Sequence, residues 1–154
     1  MLSTEQLPQL EVLGEAECRG LLTTAPIGRL AYTEGALPAI QPVHFVVVED
    51  QIIIPTGVGS KVAAASRGAV VAFEVDDYDA GTRTGWNVTV IGPSLVVGHP
   101  DEVRALDRLG MRAWAPPDHP CYVAVQMAIV RGRRLVAAAP GGRPERPVSA
   151  IRRR

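Results

Sequence analysis

The chain has 154 residues, 47% apolar and 21% charged, which suits one globular domain with a real core and excludes a disordered class. Its formal net charge is zero, so general affinity for nucleic acid or an anionic membrane is not expected. That zero hides an asymmetry: residues 143–154 carry five arginines and one glutamate, so the rest of the chain is net acidic.

Residues 1–140 read as a single domain and residues 141–154 as a flexible basic tail, rich in Gly, Pro and Arg. Two cysteines, Cys18 and Cys121, without short spacing make neither a metal site nor a disulfide framework. A basic stretch followed by an apolar one is missing at the start, and no apolar run approaches the roughly 20 residues that span a bilayer. The expectation is a soluble cytoplasmic protein without a membrane or nucleic-acid partner.

In chain order, residues 1–13 carry little pattern, and Pro8 argues against a long opening helix. Gly14 to Thr24 predicts one short helix, with early glutamates where the helix dipole prefers them. Ala25-Pro26 ends it. Ile27 to Thr33 predicts a strand, and Glu34-Gly35 a turn. Leu37 to Val48 is a long β-branched run in which Pro38 and Pro42 must face an edge or a bulge, because proline cannot donate to a ladder. Gln51 to Thr56 predicts the third strand, and Lys61 to Ser66 one or two helical turns. Ala69 to Val75 predicts the fourth strand and Asp76–Gly81 a polar turn region. Gly85 to Val97 is the fifth strand, kinked or bulged at Gly92-Pro93. Pro100 opens an amphipathic helix with Val103, Leu106, Leu109 and Met111 near one side. After the break at Pro116-Pro117, Tyr122 to Val130 and Leu135 to Ala138 predict a last strand kinked around Gly132. Six or seven strands joined by short turns argue for an antiparallel sheet closed, or nearly closed, into a barrel.

Lys61 is the chain's only lysine; its fifteen other basic residues are arginines. It ends the run Ile54-Pro55-Thr56-Gly57-Val58-Gly59-Ser60-Lys61, just after an apolar strand. A Gly-rich loop offers backbone N–H groups, a hydroxyl and a compact point charge to one anion, and phosphate is the natural guest. The alternative is a hairpin loop or helix cap with a solvated lysine. The spacing is not that of a P-loop, and no dinucleotide fingerprint opens a long helix. His44 lies inside the second strand, where it reads as a packed residue or a catalyst. His99 precedes a helix start and His119 lies in a loop. Trp86 is either core or an aromatic wall beside a planar ligand. The Asp76, Asp77 and Asp79 cluster lacks calcium-loop spacing, and no G-x-S-x-G elbow is present. No metal site is expected.

The order Ile27-Gly28-Arg29-Leu30-Ala31, Leu37-Pro38-Ala39-Ile40-Gln41-Pro42-Val43, Thr56-Gly57-Val58-Gly59-Ser60-Lys61, Ala72-Phe73-Glu74-Val75-Asp76-Asp77 and Thr84-Gly85-Trp86-Asn87-Val88 resembles the pyridoxamine 5′-phosphate oxidase-like flavin-binding superfamily, in its actinobacterial-type branch. The resemblance runs from about Glu15 to about Pro100. It implies a mainly β, six- or seven-stranded antiparallel split β-barrel of Greek-key, FMN-binding type. It also implies a homodimer with flavin sites at the subunit interface. Thr56, Ser60 and Lys61, with Pro55 beside them, would hold the FMN phosphate. Gln41, Pro42, Val43 and His44 would lie along the isoalloxazine ring. Trp86 and Asn87 would approach a flavin, including that of the partner, and Arg29 would support the phosphate or the dimer contact. Three departures argue against pyridoxamine phosphate as the substrate. The neighbourhood of a phosphate-binding arginine reads Gln41-Pro42-Val43-His44, Asn87 stands where the branch often has serine, and no C-terminal substrate-holding segment is recognisable.

The expected function is therefore an FMN-dependent oxidoreductase acting on a small organic substrate, with His44 as the candidate acid or base. The alternatives are a deazaflavin- or haem-related enzyme, a non-catalytic flavin-binding or storage protein, and a dimeric scaffold that has lost its cofactor.

Overall fold

The computed structural model of the protein describes residues 7–137. The basic tail assigned to residues 141–154 lies outside them. The described residues form nine strands and three helices. They are β1 (Gln9–Leu13), α1 (Glu15–Leu22), β2 (Ile27–Glu34), β3 (Leu37–His44), β4 (Val46–Val48), β5 (Gln51–Gly57), α2 (Lys61–Ala65), β6 (Val70–Asp79), β7 (Thr84–Val96), α3 (Pro100–Asp107), β8 (Pro120–Gln126) and β9 (Ile129–Val136). Every strand pairing is antiparallel, in the order β3-β2-β6-β7-β8-β5-β4, with β9 paired to both β7 and β1. The mainly β class and split-barrel architecture therefore stand as expected.

The strand count exceeds the expected six or seven for local reasons. The run Leu37–Val48 divides at Phe45, whose side chain is buried and rests edge-on against Phe73, ring centroids 4.7 Å apart. The last predicted strand is two, β8 and β9, which part at Met127-Ala128 and pair with different stretches of β7. Gly132 does not kink it. It lies inside β9 because α1 packs there, and a Cβ would stand 2.6 Å from the Cys18 Sγ. β6 continues through Asp76–Asp79, where a turn was expected, because those residues pair with 84–87 of β7. The turn itself falls at 80–83, where the Asp79 carboxylate accepts the N–H groups of Gly81 and Thr82 at 2.8 and 2.9 Å. These two bonds, Thr82's first, hold the Asp79 carboxyl below its usual range.

β7 is 13 residues long and belongs to both parts of the barrel. On one edge it pairs with β6 as far as Pro93; on the other it pairs with β9 as far as Ile91, and its last residues, Ser94–Val96, pair with β8. The change of partner falls at the expected Gly92-Pro93 step. A Cβ on Gly92 would meet the Gln126 carbonyl oxygen at 1.8 Å, so glycine is what lets β8 approach. Pro38 and Pro42 lie, as read, on an edge: β3 is the end of its sheet and pairs only with β2 among the described strands.

The core fills the space between the sheets with Leu30, Ile52, Ile54, Phe73, Val88, Val90, Val123 and Val125, and α1 closes one end with Cys18 and Leu22. A second cluster, Ile53, Val97, Leu106, Tyr122 and Ala124, lies under α3. Gly28 has a packing reason. A Cβ there would stand 2.1 Å from the Phe73 ring, so the glycine of the Gly28-Arg29-Leu30 segment exists for packing.

Candidate functional site

The end of β5 and the loop before α2 form one wall of a cleft of about 670 Å³, within the range of small-molecule sites. Ser60 caps α2: its Oγ accepts the Ala63 N–H at 3.0 Å. The same Oγ lies 3.0 Å from Thr56 Oγ1, so the two hydroxyls share one hydrogen bond. Gly59 turns the loop with φ +79°, a conformation that favours glycine. The opposite wall is β3, through Gln41, Pro42 and Val43, and Pro55 and Val62 add apolar surface.

The structure thus brings Gln41, Pro42, Val43, Pro55, Thr56 and Ser60 to one place. His44, at the end of β3, turns its imidazole toward Trp114, with ring centroids 5.7 Å apart and planes tilted by 40°. Lys61 stands exposed beside this cleft, and its Nζ lies 3.2 Å from Glu34 Oε1. An exposed pair of this kind is worth roughly 0–1 kcal/mol, so Lys61 is free to change partners.

Three predicted residues lie elsewhere within one chain. Arg29 projects from β2 to Asp76 at 3.1 Å and Glu74 at 3.7 Å. Glu74 is pushed above the usual carboxylate range, mainly by burial and then by Asp76, with Arg29 acting against both. Trp86 and Asn87 project from β7, where Trp86 lines two shallow hollows of about 360 and 370 Å³ with Asp77, Gly85 and Leu135. Asn87 shares the second hollow.

The residues that pattern reading missed are those of the segment between α3 and β8. Residues 113–119 form the third wall of the cleft. They are strapped to the Gly-rich loop: the Val58 N–H donates to the His119 carbonyl at 2.8 Å, and a Cβ on Gly57 would stand 2.8 Å from Pro117 Cβ. Pro116-Pro117 signalled a break, and His119 a loop, but neither pattern reports where that loop folds. Among the described residues, no group of three or more His, Cys, Asp or Glu side chains comes together as a metal site. Cys18 and Cys121 are both free and buried, and burial pushes both thiols up. No helix among the described residues is long and apolar enough to cross a membrane.

Residues 14–134 match the pyridoxamine 5′-phosphate oxidase family over most of the chain. The chain belongs to that family. It is 37% identical over 140 residues to an uncharacterised protein of Mycobacterium tuberculosis, covering 88% of this chain and 91% of that one. Among solved structures it is similar to an FAD-binding protein from Mycobacterium smegmatis, with 28% identity and a TM-score of 0.68, over 81% of this chain and 97% of that chain. A conserved protein of unknown function from Corynebacterium diphtheriae has 28% identity and a TM-score of 0.69, over 82% of this chain and 98% of that one. The Gly28-Arg29-Leu30, Gly59-Ser60-Lys61 and Gly85-Trp86 segments all fall within the family match.

Proposed function

We propose that the protein is a flavin-dependent oxidoreductase acting on a small organic substrate, with the flavin along β3 and the β5–α2 loop and residues 113–119 facing it across the cleft. The observation that carries this reading is the convergence of Gln41–Val43 and Thr56–Ser60 on one cleft of cofactor size. The FAD-binding relative from M. smegmatis supports a flavin. Of the flavins we favour FMN. Its terminal phosphate suits a loop that presents two hydroxyls 3.0 Å apart, beside one lysine. A deazaflavin with a long acidic tail fits less well, because no lysine or arginine lines the cleft.

When bound, the flavin supplies the hydride and electron transfer chemistry. The chain's own residues bind and orient. Thr56 and Ser60 donate their hydroxyls to phosphate oxygens, and Lys61 leaves Glu34 to neutralise the charge. Backbone groups of Gln41–Val43 meet the polar edge of the ring, and His44 holds a proton at its far end. Trp86 and Asn87, which do not reach the cleft of their own chain, meet the flavin of a second copy in a homodimer.

The test is the visible spectrum of the protein after FMN is added and the excess removed by gel filtration. Flavin bands should stay with the protein, and chromatography of the released cofactor should give FMN rather than FAD. Lys61→Ala should weaken FMN binding about tenfold, the loss of one charge-assisted contact. A protein that emerges colourless overturns the reading.

A further inference from the structure

We propose that Trp114 is the substrate-facing wall of the cleft and selects a flat ring that is uncharged or cationic. This rests on the flavin reading above, since the flavin would occupy the wall opposite.

Trp114 is 57% exposed, although an indole is the largest apolar side chain and is usually buried. It is not on a free loop tip. One ring contact, His44 at 5.7 Å, steadies it. The loop around it is fixed by the Val58 N–H bond to the His119 carbonyl and by the close approach of Pro117 to Gly57. Two consecutive prolines, Pro116 and Pro117, further restrict the backbone. The result is a pre-set aromatic plane open to the cleft. Such a surface binds at low entropic cost and prefers a second ring at stacking distance.

Charge narrows the class. The ionisable side chains lining the cleft are Asp118 and His119, both in the Trp114 loop, and neither lysine nor arginine is among them. Lys61 follows Ser60 outside the lining, held at Glu34. A carboxylate or phosphate on the substrate would therefore meet Asp118 and no fixed positive partner. A neutral or cationic ring meets the indole face, Ala113, Ala115 and the prolines instead.

The experiment is equilibrium titration with menadione, a neutral naphthoquinone, and with an anionic naphthoquinone sulfonate. It is run on the FMN-loaded protein and on the protein free of flavin, in parent, Trp114→Ala and Trp114→Phe forms. The FMN dissociation constant of each form is measured alongside. Trp114→Ala should weaken menadione about tenfold while FMN affinity stays within about threefold of the parent. Trp114→Phe should retain most menadione affinity, and the sulfonate should bind the parent about tenfold more weakly than menadione. Menadione affinity unchanged in Trp114→Ala overturns the proposal, as does a sulfonate that binds as well as menadione. So does a parallel loss of FMN, which would assign the indole to the cofactor. If the parent retains no FMN, the flavin reading falls by itself. A Trp114-dependent menadione affinity in the flavin-free protein would still uphold the aromatic wall, and its absence there would overturn it.

Discussion

His44 closes β3 next to the cleft-lining Val43, and its ring rests against Trp114 of the opposite loop, which also carries His119. Its neighbour Val43 lines the cleft and is buried, so the pleat fixes where His44 begins. As a proton donor or acceptor it would act on the substrate rather than on cofactor binding. His44→Ala should therefore slow turnover about 100-fold with FMN still bound, the lower end of what a positioned acid or base contributes. Steady-state rates with a reduced nicotinamide and a quinone acceptor, beside the flavin spectrum, check it. Unchanged turnover removes His44 from the mechanism. At this scale the chemistry was legible where it is local. Thr56, Ser60 and Lys61 sit within six residues, and a Gly-rich loop after an apolar strand announces itself. Gly28 was legible only as part of a motif. Its reason is the Phe73 ring 45 positions further on, and no local pattern carries that.

At the scale of elements, a side-chain hydrogen bond ties the end of α3 to β8. The Tyr122 hydroxyl, from β8, donates to Asp107 Oδ1 at 2.7 Å, at the C-terminal end of the helix. Burial, then this bond to a carboxylate, pushes the Tyr122 phenol up to about 12. Tyr122→Phe should cost about 1 kcal/mol, read as a lower midpoint in urea, because Asp107 is exposed and rehydrates when it loses its partner. The pH dependence follows in sign. The folded phenol titrates above the unfolded value of 10, so its contribution is whole below pH 10 and is lost as pH rises toward 12. The gap between parent and Tyr122→Phe should therefore be constant from pH 7 to 9 and close above pH 10. A gap that persists unchanged to pH 12 would rule out the hydrogen bond as its cause. Elements were legible where pattern and pairing agree, as in β2 and β5, and in α1; α3 begins at Pro100 as read but ends at Asp107, short of the expected Leu109 and Met111. β1 was not, because four of its five residues are exposed and its partner is β9, more than 100 positions away. Asp76–Asp79 misled for the same reason: acidic side chains suit a turn by composition, but ten residues of β7 offered a ladder.

At the scale of the molecule, the outer sheet face carries the surface on which the proposed homodimer can be tested. Ile40, Ala31, Ala72, Ile91 and Ile129 are successive register partners across β3, β2, β6, β7 and β9. The adjacent row, Leu30, Phe73, Val90 and Val130, faces the core, so the isoleucine row faces away from it. Ile40 is 69% and Ile129 41% exposed, which leaves an apolar band across five strands. The row beside it carries Arg29, Glu74, Thr89 and Arg131, charges of both signs that a second copy turned by a two-fold axis can match. Asn87 stands on this outer face, while Trp86 alternates to the other side and packs partly against the core, open at the sheet's end to the two hollows a partner could reach. The family resemblance implied a homodimer, but local pattern could not show this row, because it exists only once five separate strands are in register. Ile129→Lys places a charge in the band without touching either cleft wall. It should convert a dimeric parent to monomer in sedimentation, and FMN affinity should fall about tenfold with the loss of the partner's aromatic contact. A variant that stays dimeric moves the interface elsewhere. A monomeric variant with full FMN affinity would mean that each cleft is complete within one chain, and would return Trp86 to a structural role.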